Sequence, residues 1–215
     1  MKPYGQWCSL AKALELVGER WTLLLVRELL EGPRRYSDLL EDVPGISTDV
    51  LAARLRDMEE AGIVARRTLP APASSKVYEL TPLGEELRAP VNALSRWGLQ
   101  LLGPRDTEEF RPHWLAISLR GLLNKRAAAT ATLDIDFDVD DELGVIRIHV
   151  EDGTLEHVPE PDGNADVIVR ADLGTLAKLG SGGAAARDAL ASGAVTLVGS
   201  AAAKQVYAAL FRPEA

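Results

Sequence analysis

The hydrophobic period of this chain changes once, and that change constrains the fold more than any other feature. Up to a seam at Gly103-Pro104-Arg105-Asp106, apolar residues recur every three or four positions, the period of helices. Beyond the seam, two runs alternate with period two. Leu133, Ile135, Phe137 and Val139 alternate with Thr132, Asp134, Asp136 and Asp138. Ile146, Ile148 and Val150 alternate with Arg147, His149 and Glu151. With 215 residues available, the expected organisation is two domains, 1–104 and 105–215, in an α+β fold.

The first domain reads as short helices closed by breakers. Leu10, Leu14 and Val17 form one stripe. Trp21–Leu29 forms a second helix stopped by Gly32-Pro33, and Tyr36–Leu40 a third stopped by Pro44-Gly45. Ser47 caps a fourth, with Ile46 placed to staple onto Leu51. Leu51, Leu55 and Met58 are its inner stripe and Gly62 its end. Ile63–Leu69 and Lys76–Leu80 read as a hairpin. Thr81-Pro82 then opens one long helix through Leu87, Leu94, Trp97 and Leu101, bent at Pro90. That repeat has little left to bury in so small a domain, so these four residues are the expected dimer interface.

The second domain reads as an apolar helix from Trp114 to Leu123, then the two alternating strands. Asp152-Gly153 turns into Thr154–Val158, and Asp166–Ala171 is a further strand. Asp172 caps a helix through Leu179, and Ala184–Ala191 forms another. Val195–Val198 is a strand, and Ser200 caps a last helix to about Phe211. Alternation puts Asp134, Asp136 and Asp138 on a solvated face.

Composition removes several function classes. The 32 acidic side chains outnumber 24 basic ones, which excludes a uniformly basic coat for nucleic acid. The imbalance is confined to the second half: residues 1–104 hold 13 basic and 14 acidic side chains, the remainder 11 and 18. One cysteine, Cys8, excludes an intramolecular disulfide. His113, His149 and His157 have no metal-ligand spacing. No Ser/His/Asp arrangement or phosphate loop stands out, so neither metal, cofactor nor enzymatic activity is expected. The charge-free run Ala189–Ala203 is too short and polar for a bilayer, and early charges break any signal core. A cytoplasmic protein without membrane association is expected.

Helix, turn, capped helix and hairpin in this order suggest a winged helix-turn-helix. Thr48, Asp49, Ala52, Ala53 and Arg56 then face outward, short enough for the major groove of double-stranded DNA. Ser47 leaves backbone amides free for phosphate. Arg34, Arg35, Arg66, Arg67 and Lys76 supply charge at the turn and along the wing. The pattern alone fits equally a helical domain whose charges are merely solvated.

The motifs resolve that choice by resemblance. Val17-Gly18-Glu19-Arg20-Trp21-Thr22, Arg27-Glu28-Leu29-Leu30-Glu31-Gly32-Pro33 and Arg35-Tyr36-Ser37-Asp38-Leu39 follow one another. So do Pro44-Gly45-Ile46-Ser47, Leu51-Ala52-Ala53-Arg54-Leu55-Arg56 and Tyr78-Glu79-Leu80-Thr81-Pro82-Leu83-Gly84. Over about residues 7–102 this resembles the HxlR family of bacterial winged-helix regulators. The resemblance implies a homodimeric transcription factor, with Ser47–Arg56 as recognition helix and 63–80 as wing. Asp49 departs from the basic or amide residue frequent there. Cys8 falls where many members also carry a cysteine, some of them sensing thiol oxidants or electrophiles. A helix start with Lys12 one turn on favours thiolate; a small packing residue is the plainer alternative.

Residues 165–172, 175–176 and 189–200 resemble the sterol-carrier-protein (type two) fold, the likeness covering roughly 112–212. It implies an α/β sandwich with about five strands around an apolar cavity. Leu133, Ile135, Phe137, Ile146, Ile148 and Val150 would line it, with Leu176 and Leu179 as lids. A hydrophobic small-molecule effector is the expected partner. The same side chains could instead fill a solid core, leaving a structural module and a signal entering through Cys8, or the chain could be a lipid carrier without DNA binding.

Overall fold

The computed structural model describes residues 3–70, 74–103, 108–140, 143–159, 163–181, 188–189 and 191–212. By backbone packing the chain divides into two compact units, Met1–Val91 and Asn92–Ala215. No described helix is long and apolar enough to cross a membrane.

The first unit holds α1 (Ser9–Val17), α2 (Thr22–Leu29), α3 (Tyr36–Asp42), α4 (Thr48–Glu60), β1 (Val64–Thr68), β2 (Lys76–Leu80) and α5 (Pro82–Glu85). α6 (Arg88–Gly98) begins in it. Leu25, Val26 and Leu29 of α2 meet Leu39, Leu51, Leu55 and Met58 in one buried cluster. Each such side chain contributes about 1.5–3 kcal/mol by leaving water. β1 and β2 pair antiparallel from Val64↔Leu80 to Thr68↔Lys76; residues 71–73 of the expected loop lie outside the described residues.

The single long helix expected after Thr81 is instead two. α5 ends at Glu85 and α6 restarts at Arg88, passing into a 3-10 turn over Leu99–Leu101. Pro90 is the reason: it has no amide to donate and its ring would strike the carbonyl four residues back. As the third residue of a new helix it needs no donor.

The second unit contains α7 (Pro112–Arg120), α8 (Lys125–Ala128), β3 (Leu133–Asp140), β4 (Gly144–Glu151), β5 (Thr154–Val158), β6 (Val167–Arg170), α9 (Leu173–Ser181), β7 (Thr196–Gly199) and α10 (Ala201–Leu210). Its strands form one mixed sheet in the order β5-β4-β3-β6-β7. β3 and β6 run parallel and the other pairs antiparallel. Asp152 and Gly153 both adopt positive φ, 49° and 79°, as a two-residue hairpin turn demands. The helix expected over 184–191 lies mostly outside the described residues, as does the seam at 104–106.

Alternation holds on the sheet's apolar face. The opposite face is not uniformly solvated: Asp136 and Arg147, cross-strand partners on β3 and β4, are both buried and ion-paired. A lone carboxylate could not remain there; a guanidinium alongside makes its burial tolerable.

Candidate nucleic-acid interface

α4 is set by local chemistry at both ends. The Ser47 hydroxyl accepts the Val50 amide at 3.4 Å, and Gly45 and Gly62 take positive φ at the turn before the helix and just after it. Ile46 and Leu51 are both buried, as a staple requires. From α3, the Tyr36 hydroxyl donates to the Thr48 carbonyl at 2.7 Å, fixing where the helix begins. Tyr36 was not among the expected site residues, because a tyrosine in a helical stripe gives no local sign of what its hydroxyl meets.

The helix divides cleanly by face. Leu51, Leu55 and Met58 are no more than 2% exposed. Ser47, Thr48, Asp49 and Arg56 are exposed, and Ala52 and Ala53 half-exposed. Arg56 makes no hydrogen bond or ion pair among the described residues. Its neighbour Arg54 is engaged instead, 2.7 Å from Asp57 and 3.8 Å from Glu19.

The wing joins this helix through charge. Arg66 on β1 lies 3.6 Å from Glu59 of α4, donates to the Tyr78 hydroxyl at 2.7 Å and stacks over that ring. Arg67 reaches Glu79 across the hairpin at 2.8 Å. Both arginines are therefore held, half-exposed, rather than loose. Arg34 is tied to β2 through its backbone, while Arg35 and Lys76 are exposed at the starts of α3 and β2. The cross-strand partners, the Tyr78 hydroxyl for Arg66 and Glu79 for Arg67, become visible only once the hairpin is paired.

Of the four expected interface residues, Leu94, Trp97 and Leu101 are 50%, 58% and 65% exposed. Leu87 packs instead against the first unit's core. Cys8 is exposed at the cap of α1, in a shallow pocket with Tyr4, Gln6, Leu10, Ala11 and Leu14. Lys12, one turn on, is paired with Glu15 at 2.8 Å.

In the second unit, Leu133, Ile135, Phe137, Ile146, Ile148 and Val150 are brought together in one buried cluster, joined by Leu115 and Ala116 of α7. Leu176 packs on its edge and Leu179 is half-buried. On β5, His157 shares the core-facing side with Leu155, and Arg120 donates to the Leu155 carbonyl at 2.5 Å.

Residues 16–106 match the family described as HxlR-like helix-turn-helix. Residues 115–214 match one described as alkyl sulfatase C-terminal, a different description from the sterol-carrier likeness expected there. The chain is 36% identical over 99 residues to the HTH-type transcriptional regulator YodB of Bacillus subtilis, covering 46% of this chain and 88% of that protein. It is 34% identical over 104 residues to an uncharacterized HTH-type transcriptional regulator, sll1512, of Synechocystis, covering 48% and 77% respectively. The reduced form of B. subtilis YodB superposes with a TM-score of 0.40 at 34% identity, over 47% of this chain and 100% of that one.

Proposed function

The chain belongs to the HxlR-like helix-turn-helix family of DNA-binding transcriptional regulators, and from that premise we propose how it reads DNA and what modulates it. α4 lies in the major groove with Thr48, Asp49, Ala52, Ala53 and Arg56 toward the bases. Ser47, Arg34, Arg35, Arg66, Arg67 and Lys76 hold the phosphates on either side. The observation that carries this is the division of α4: Leu51, Leu55 and Met58 are consumed by the core, and the exposed Arg56 guanidinium is left unpaired among the described residues. A guanidinium so placed can bridge two acceptors of one guanine.

The chain acts as a homodimer on a two-fold site, because Leu94, Trp97 and Leu101 leave an apolar surface that a second copy would cover. The second unit is the effector module. Its apolar cluster, and a family match whose name joins an alkyl chain to an acidic head, support a hydrophobic ligand. Such a ligand shifts DNA affinity by its difference in affinity between the DNA-competent state and the other. A second entry for the signal, through Cys8, is favoured by the exposure of its thiol.

A gel shift on the DNA upstream of the chain's own gene tests the proposal. A saturable complex of two chains per site is expected; only weak, salt-sensitive binding to any sequence would refute it. Cys8→Ser that leaves the response to an oxidant intact would remove the second entry.

A further inference from the structure

We propose that Arg20 is a further contact to DNA phosphate, held by the Trp21 ring beside the turn that precedes α4. This rests on the reading of α4 as the element that meets DNA, and extends its footprint to the junction of α1 and α2.

Trp21 is strained. It precedes α2 with φ 80° and ψ −22°, in the left-handed region that a bulky side chain rarely enters. Such a conformation persists only where its surroundings impose it, and such residues cluster at functional sites. The surroundings here are specific. The Trp21 carbonyl accepts the Leu25 amide at 2.9 Å, starting α2. Its half-buried ring packs on the first unit's core and reaches the turn between α3 and α4, where a Cβ built on Gly45 would lie 3.5 Å from Cη2 of the indole.

Arg20 is exposed, its guanidinium carbon 4.8 Å from the centre of the Trp21 ring. It makes no hydrogen bond or ion pair among the described residues. The carboxylate next to it in sequence, Glu19, lies 3.8 Å from Arg54 of α4 instead. Stacking engages the face of a guanidinium and leaves its N–H edge free for two phosphate oxygens. It also restricts the side chain before DNA arrives, which lessens the entropy lost on binding. Three other arginines around α4 are already engaged: Arg54 with Asp57, Arg66 with Glu59 and Tyr78, Arg67 with Glu79. With 13 basic side chains against 14 acidic ones in residues 1–104, no excess of charge draws a polyanion there, so attraction must come from individually placed cations. A helix entering the major groove has the sugar-phosphate backbone alongside its first turn, and Arg20 is tethered through Trp21 to the residues just before that turn.

Fluorescence anisotropy of the full chain on two duplexes, the DNA upstream of its own gene and an unrelated sequence of equal length, tests this at several salt concentrations. Arg20→Ala is expected to weaken binding to both duplexes by about tenfold. It should also lower the slope of log affinity against log salt by about 1, with the melting temperature unchanged. Arg20→Lys keeps the charge and therefore the slope, but loses the planar fork, so it should recover only part of the affinity. Arg56→Ala, measured alongside, should lose affinity on the upstream duplex alone. Wild-type affinity and slope in Arg20→Ala, or a loss confined to the upstream duplex, overturns the phosphate contact; a loss by Arg56→Ala in the same experiment leaves the reading by α4 standing. The expected behaviour of Arg20→Ala with wild-type binding by Arg56→Ala keeps the phosphate contact and refutes that reading. Wild type that binds neither duplex overturns both.

Discussion

Arg34 and Tyr78 exchange both backbone hydrogen bonds, 2.9 Å from the Arg34 amide and 2.8 Å from the Tyr78 amide. The link between α2 and α3 thereby makes an isolated bridge to β2, and main chain fastens the wing to the reading unit. Position 34 thus has two separable roles. Arg34→Ala keeps the amide, so the melting temperature should hold while DNA affinity falls and its salt dependence weakens. Arg34→Pro removes the donor and leaves the Tyr78 carbonyl short of a partner, at a cost of about 1–3 kcal/mol. Thermal melts and binding isotherms at two salt concentrations separate the pair.

Leu94 and Leu101 present the exposed apolar side of α6 and the turn that follows. Replacing both with Glu adds charge to a surface the proposed partner copy would cover, while disturbing no buried contact. Light scattering should report monomers, with an unchanged melting profile at low concentration and loss of tight operator binding. A dimer that survives would move the interface to other residues, α1 among them.

Asp136 and Arg147 test how the second face of the sheet is built. The guanidinium also donates to the second carboxylate oxygen at 3.0 Å, so the pair is bidentate. Asp136→Ala leaves a buried cation without this partner, expected to cost about 3–5 kcal/mol in urea unfolding. Asp136→Leu with Arg147→Met should recover most of that, because two apolar side chains carry no desolvation penalty. A single-variant cost no larger than a surface substitution's would mean the face is solvated after all.

Two histidines of the second unit should bend its stability with pH in opposite senses. At His149, the hydrogen bond to Asp134 at 2.8 Å, with Glu151 beyond the other nitrogen, raises the pKa above its ordinary 6.5. Its stabilisation is complete below pH 6.5 and is lost as pH rises through the raised folded value. At His157, burial first and then the charges of His113 and Arg120 lower the pKa. The fold therefore loses stability as pH falls from 6.5 through that lowered value. Denaturation midpoints measured over roughly pH 5–8 should show His149→Gln removing the alkaline decline and His157→Gln the acid one. Because His149 is partly exposed, its slope should shrink in high salt.

What the sequence announced and what it hid follow from physics. The cap at Ser47, the stripe Leu51–Leu55–Met58 and the alternation along β3 and β4 are local signals, and each reappears in the fold. A period-two run states that one face is buried but not whether the other is covered, so the burial of Asp136 was invisible. The restart of the helix at Arg88 is not legible locally, because proline marks a break without saying whether the chain bends or begins again.

The most direct measurement is fluorescence anisotropy of the wild-type chain, Arg56→Ala and Ala53→Glu on the DNA upstream of its own gene, with thermal melts alongside. Both substitutions fall on the face of α4 that the core does not use. Loss of one base contact by Arg56→Ala is expected to weaken specific binding by about 1–3 kcal/mol, and Ala53→Glu by at least as much, with melting temperature and oligomeric state unchanged. Wild-type affinity in both variants would contradict the account, because α4 would then not be the element that meets the DNA.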